Sequence, residues 1–220
     1  MDWPESAGLS ERERQAVVAV ARSCRFGPRD VVFHEGDHSS SVHLITSGHF
    51  AVRVTTPDGE RATLNVLGPG GWFGELPVTD GAEPSRRSAT VLALDESSTL
   101  VLTTADFQAL CSEHPAMGRL VQALMAARIR ELSAQLLQSM YVPLDRRLCS
   151  RLLDLLEVYP ARGGSTLLPL TQEQIADMVG GTRPSVNQAL QQLVSAQIIE
   201  IGRGRVVVLD RPALERAAAR

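Results

Sequence analysis

Lysine does not occur in this chain of 220 residues, and all 22 of its basic side chains are arginine. One-sided usage of that kind reflects coding DNA rich in G and C rather than a chemical need. It points to a bacterium with such a genome. Aromatic residues make up only 4%. No apolar run approaches the ~20 residues that a membrane-spanning helix needs. The opening MDWPESAGLSERER does not have the pattern of a signal peptide, so a cytoplasmic protein without a membrane partner is expected. Cysteine is scarce. Cys24, Cys111 and Cys149 stand far apart, in a spacing that suits neither a zinc site nor an iron–sulfur cluster. Each reads as a small packing residue, and no metal is expected. A nucleophile–base constellation, metal-ligand spacing and phosphate-loop glycines are also missing, so catalysis is not expected.

What is present suffices for two domains. A hydrophobic content of 44% supports real cores. The formal net charge of −3 does not advertise a polyanion partner for the chain as a whole. The distribution of charge is more informative. Residues 144–220 hold 10 Arg against 8 Asp plus Glu, a net of +2, and residues 1–143 hold 12 against 17, a net of −5. The C-terminal third is therefore the better candidate for binding nucleic acid.

Residues 9–22, LSERERQAVVAVAR, read as a helix opened by a capping box of Ser10 and Glu13. From Val31 to Leu102, short apolar runs alternate with Gly, Asp and Pro: VVFHEGD, SVHLITSG, FAVRVTTPDGE, ATLNVLGPG and ATVLALDESSTLVLT. Pro57-Asp58-Gly59 marks a turn between two of them. Strands so closely spaced predict a sandwich or barrel. A short helix over Asp106–Cys111 follows, then a long one from about Pro115 to Met140. Along the long helix Val121, Met125, Ile129, Leu132, Leu136 and Met140 form a narrow apolar stripe. Such a stripe suits a seam with another helix or packing onto the chain's own barrel; a two-fold dimer seam is the expectation. YVPLD then ends the helix and marks a domain boundary.

The most specific pattern lies further on. Thr171 and Gln174 form a second capping box, Gly180-Gly181 a tight turn, and Thr182 caps another helix with Pro184 in its first turn. Two short helices joined this way predict a helix-turn-helix, with apolar contacts from Ile175, Val179, Val186, Leu190 and Leu193. Arg183, Asn187, Gln188 and Gln191 are left facing outward. Arginine pairs with guanine O6 and N7, and Asn or Gln pairs with adenine. IIEIGRGRVVVLD reads as a hairpin with Arg203 and Arg205 at its tip, placed to grip phosphate. Together these make a winged helix-turn-helix. A small helical protein-interaction domain with a solvated polar face is the alternative.

In the strand-rich region, GWFGELPVTDGAEPSRRSATV (Gly71–Val91) brings Glu75 and Arg87 within a dozen positions of each other. They are either a plain ion pair or the two ends of a small polar ligand. With these residues the chain resembles, over nearly its full length, the CRP/FNR family of bacterial transcription regulators. Nucleotide-binding members carry F-G-E-L followed by R-S-A or R-T-A before a strand. Here these stand as Phe73-Gly74-Glu75-Leu76 and Arg87-Ser88-Ala89. The resemblance implies an α+β protein in three parts. They are an N-terminal double-stranded β-helix or jelly-roll barrel (1–114), a long dimerisation helix with hinge (115–142) and a C-terminal winged helix-turn-helix domain (143–220). It also implies a homodimer that binds double-stranded DNA, works with RNA polymerase and is gated by cAMP or a related cyclic nucleotide. A constitutive or differently gated regulator, whose barrel is only a dimer scaffold, is the alternative.

The ligand's chemistry fits those residues. A cyclic nucleotide offers a singly charged phosphate and a free ribose 2′-hydroxyl. On the resemblance, Arg87 and Ser88 hold the phosphate, Glu75 accepts from the 2′-hydroxyl, and Gly74 lets the backbone approach the sugar. The residues between Glu75 and Arg87 form a helical turn that cradles the phosphate, with Leu76 and Ala89 completing the set. Arg128 on the long helix is a further partner for Glu75. A gapless count from the family-like Arg147 sets Leu132-Ser133 where cAMP-responsive members present Thr-Ser to adenine. Leu132 offers no hydrogen bond there, and Ser133 does. The DNA-binding set is Thr171, Thr182, Arg183, Ser185, Asn187, Gln188, Gln191, Arg203 and Arg205. Pro184 stands where the family often has Glu, so the preferred operator should differ. Haem and iron–sulfur sensing are not expected. There is no N-terminal cysteine cluster, and four of His34, His38, His43, His49 and His114 sit at turns or strand edges and read as solvated.

Overall fold

In the computed structural model residues 9–76, 86–159 and 165–219 are described. Helix α1, Glu11–Val20, starts at Ser10, whose hydroxyl accepts from the Glu13 N–H while the Glu13 carboxylate accepts from the Ser10 N–H. It ends earlier than the sequence predicts, because Arg22–Phe26 forms a strand, β1, paired along its length with Ser97–Val101. Seven more strands follow: β2 (Val31–Phe33), β3 (Ser41–Ser47), β4 (Phe50–Thr55), β5 (Arg61–Leu67), β6 (Trp72–Phe73), β7 (Thr90–Ala93) and β8 (Ser97–Thr103). They make two four-stranded sheets, ordered β1-β8-β3-β6 and β2-β7-β4-β5. The single run ATVLALDESSTLVLT folds as two strands, β7 and β8. Asp95 leaves the ladder between them to accept from the His49 N–H at 2.8 Å and to pair with the His49 ring at 2.6 Å.

β3 explains how the barrel packs. Val42 and Leu44 join one core with Trp72, Leu100 and Leu102, covered by Val17 of α1, Phe107 and Leu110 of α2 (Thr104–Glu113) and Met117 of α3 (Pro115–Tyr141). Ile45, pointing the other way, joins a second core with Phe50, Phe73, Val91 and Ala93. The strand's period of two thus serves two apolar layers at once.

Contacts divide the chain into two compact units, Met1–Val54 with Leu67–Glu131 and Thr55–Val66 with Leu132–Arg220. The second contains α4 (Leu144–Val158), β9 (Thr166–Leu168), α5 (Gln172–Val179), α6 (Arg183–Ser195), β10 (Ile199–Gly202), β11 (Arg205–Val208) and α7 (Arg211–Ala219). Strands β9, β10 and β11 form a three-stranded sheet ordered β10-β11-β9. Leu148, Leu152, Leu168, Ile175, Leu190, Ile199 and Leu214 form its fully buried interior. Among the described residues no helix is long and apolar enough to cross a membrane.

Candidate functional site

Arg87 is buried, at 4% exposure, despite its charge. Backbone bonds hold it in place: its N–H donates to the Asp37 carbonyl and its carbonyl accepts from the Gly36 N–H, both at 2.9 Å. Its Nη1 donates to the Gly74 carbonyl at 3.0 Å, and its Nη2 donates to Ser41 Oγ at 2.9 Å. The guanidinium lies over the Phe33 ring, with Cζ 3.9 Å from the centroid. Its Nε is buried without a hydrogen-bond partner among the described residues. Gly74 makes this arrangement possible. Its φ is +82°, and a Cβ there would fall 2.6 Å from Arg87 Nη1 and 2.9 Å from the Ser41 carbonyl oxygen. Burial lowers the Arg87 pKa from its ordinary value, and the charges of Glu75 and Asp37 oppose that.

Sequence reasoning missed three residues around Arg87: Phe33, Ser41 and His43. Ser41 Oγ lies 3.1 Å from His43 Nε2, and His43 Nδ1 lies 3.3 Å from Thr99 Oγ1. Ser41 Oγ accepts from Arg87 and has its own proton to donate to Nε2 in the tautomer that carries the imidazole proton on Nδ1. Burial, and then the Arg87 charge, push the His43 pKa down to about 4, so the ring is neutral near pH 7. The expectation of solvated histidines therefore needs correction. His34 and His38 are exposed, but His49 is paired with Asp95, and His43 is a core residue stacked on Phe73 at 4.7 Å. The signal was its step of two from Ile45 along β3, which sends both to the same core.

Glu75 is half-buried. Burial pushes its carboxyl pKa up, while its own backbone N–H, Arg128 and Arg87 pull the other way. Among the described residues no ion pair joins Glu75 to Arg87. Nor does one join it to Arg128, whose Nη1 instead donates to Glu131 Oε2 at 3.1 Å. Leu76 and Ser88 are exposed, and Ala89 is buried. The cradle expected between Glu75 and Arg87 lies at 77–85, outside the described residues. On α3, Leu132 is 40% and Ser133 also exposed, as are Ile129 (65%), Leu136 (61%) and Met140 (62%); Val121 and Met125 are half-buried.

The helix-turn-helix forms as its sequence predicts. Thr171 Oγ1 accepts from the Gln174 N–H, and the Gln174 side-chain oxygen accepts from the Thr171 N–H at 2.8 Å. Gly180 closes α5 in the left-handed conformation, φ 66°. Thr182 caps α6 by accepting from the Ser185 N–H, and the two hydroxyls lie 2.9 Å apart. Thr171, Thr182 and Ser185 are thus engaged as caps. Arg183, Asn187, Gln188 and Gln191 are exposed, while Val186, Leu190 and Leu193 are buried on the opposite side of α6. Arg203 and Arg205 are exposed at the β10–β11 turn. Sequence reasoning missed Glu173. Its Oε1 accepts from Nη2 of Arg183 and, at 2.6 Å, from Nη2 of Arg61. An acidic residue in a helix's first turn is ordinary, because it favours the positive end of the helix dipole, so nothing marked it out.

Residues 23–114 match the cyclic nucleotide-binding domain, and residues 146–217 match the Crp-like helix-turn-helix domain. The chain is 30% identical over 211 residues to the cyclic AMP receptor protein of Thermus thermophilus, spanning 96% of this chain and 94% of that protein. It is 26% identical over 212 residues to the CRP-like cAMP-activated global transcriptional regulator of Mycobacterium tuberculosis, spanning 94% and 93%. Among solved structures, the c-di-GMP responsive global regulator CLP of Xanthomonas campestris has the same fold. Its TM-score is 0.78 at 17% identity, over 91% of this chain and 100% of that one.

Proposed function

The chain belongs to the CRP/FNR family of bacterial DNA-binding transcription regulators, and from that premise we propose that it acts as a homodimer gated by a cyclic nucleotide, cAMP in the first place. One observation carries the gating. Arg87 and Glu75 are opposite charges, both desolvated and each felt by the other, yet not joined in an ion pair. A ligand with an anion at one end and a hydroxyl at the other supplies what each is missing. Arg87 still has a buried Nε donor to give. The names of the Thermus and Mycobacterium relatives support cAMP as that ligand.

The exposed apolar stripe from Ile129 to Met140 supports the dimer, since an uncovered run of that kind on one helix favours a matching partner. On this reading 1–114 sense, 115–142 pair, and 143–220 bind double-stranded DNA at half-sites about one helical turn apart. The protein then works in the cytoplasm beside RNA polymerase.

Calorimetric titration with cAMP and cGMP tests the gating. Saturable heat with cAMP, lost in Arg87→Ala and reduced in Glu75→Ala, is expected. A second reading has its own observation: Nη1 and Nη2 of Arg87 each already give one hydrogen to a protein acceptor, Gly74 and Ser41, as in a barrel kept only as scaffold. Heat from neither nucleotide would favour that reading and leave DNA binding standing.

A further inference from the structure

On the second unit, an acidic side chain stands among residues expected to face DNA. Glu173 is in the first turn of α5, and its Oε1 accepts from Nη2 of Arg183 at the start of α6. The pair lies in the open, with Glu173 44% and Arg183 67% exposed. Gln172, Glu173, Arg183, Pro184 and Asn187 together line a cavity of about 470 Å³. Arg61, in the same compact unit, also donates to Glu173 Oε1 at 2.6 Å. DNA is a polyanion, so a carboxylate at this place costs affinity unless it does something else.

We infer that Glu173 is a positioning residue that sets specificity: it orients the Arg183 guanidinium for a guanine edge and withholds it from phosphate. The inference rests on the reading of Arg183 as a base-contacting residue. The donor count permits it. An arginine has five N–H donors, and Glu173 uses one on Nη2. The other Nη2 hydrogen and both on Nη1 remain, enough for the two acceptors of guanine, O6 and N7. Electrostatics then separates the two targets. A free arginine at an exposed helix start gains from any phosphate, whatever the sequence. With Glu173 between Arg183 and Arg61 the three side chains carry a net charge of +1 where the two arginines alone would carry +2, and a phosphate drawn to the Arg183 guanidinium meets a carboxylate. The guanine edge carries no charge and meets no such repulsion. Pro184, next to Arg183, offers no side-chain acceptor or donor, and among the residues lining this cavity Glu173 is the carboxylate that holds Arg183.

The test uses the full-length protein. Duplexes are selected from a random library to define the operator. Operator and non-operator affinities are then measured at fixed salt for wild type, Glu173→Gln, Glu173→Asp, Arg183→Ala and the Glu173→Gln/Arg183→Ala double variant. Glu173→Gln is expected to tighten non-operator binding by about three- to tenfold while changing operator binding less than about twofold. Repeat selection with it should relax a guanine position that Arg183→Ala also relaxes. Glu173→Asp should restore part of the discrimination. In the Arg183→Ala background the loss of discrimination should vanish, leaving only the effect of freeing Arg61. An equal gain on operator and non-operator DNA overturns the inference, and so does the same loss of discrimination without Arg183. If Arg183→Ala changes no selected position, the base-contacting assignment itself falls, and the inference with it.

Discussion

Arg87 and Arg183 are the same side chain in opposite physical situations. Arg87 is 4% exposed, without an ion pair among the described residues, held by neutral acceptors and an aromatic face. Arg183 has a side chain 67% exposed and paired with Glu173. Burial amplifies every change in charge around the first, while water screens the second. On the proposed function, the Arg87 site would respond strongly to one small anion, and the Arg183 surface would read DNA through many modest contacts whose sum is selective.

Removing Arg87 is the strongest way to break that contrast. Arg87→Ala should lose about 3–5 kcal/mol of cAMP affinity, as when one partner of a buried charge pair is deleted. Calorimetry together with an unchanged circular-dichroism spectrum checks this. Normal cAMP binding by the variant would leave Arg87 as a packing residue only.

Next comes His43, buried beside Arg87. Its folded pKa of about 4 lies below the value of about 6.5 for the unfolded chain, so the unfolded state takes up the proton first. Stability from this group is complete above pH ~6.5. It is lost as pH falls toward about 4, by on the order of 3 kcal/mol. Urea midpoints across that window should show the slope, and His43→Asn should flatten it. An equal slope in the variant would place the titration elsewhere.

On the exposed side the effects shrink. Arg183→Ala should weaken operator binding by about 1–3 kcal/mol and relax the choice at one base pair of each half-site, which competition with single-base variants resolves. Leu132→Thr should raise the enhancement of operator binding by saturating cAMP by about 0.5–1.5 kcal/mol, because it restores a hydrogen-bonding side chain. An unchanged enhancement in the variant would place Leu132 away from the nucleotide base. Smallest of all, Arg203→Ala should weaken all duplexes alike and reduce the salt slope by about 1, a loss visible only in a salt series.

The two regions also differed in how far they could be read from the chain. The helix-turn-helix was readable residue by residue. Its capping box joins Thr171 to Gln174 and its second cap joins Thr182 to Ser185, each three positions apart, and the left-handed Gly180 completes its own helix. Each depends on backbone geometry within a turn or two, which neighbouring residues fix. Glu75 and Arg87 could be picked out as a pair, but not what surrounds them. Ser41 is 46 positions from Arg87, and Thr99 is 56 from His43. Glu173 and Arg183 are only 10 apart, yet the Gly180-Gly181 turn decides that they meet.

What the sequence by itself determined is the order of the parts: strands with their turns, a long helix with an apolar stripe, two capped helices and a basic hairpin. Periodicity and caps act over a few residues, and the chain carries them openly. Only the tertiary structure decided that Arg87 would be buried on Phe33, that His43 would be a neutral core residue, and that Asp95 would split one strand in two. It also decided that Glu173 would hold Arg183. Each depends on which strands or helices become neighbours and in what register, and a one-residue slip in β3 would exchange the faces of His43 and Leu44.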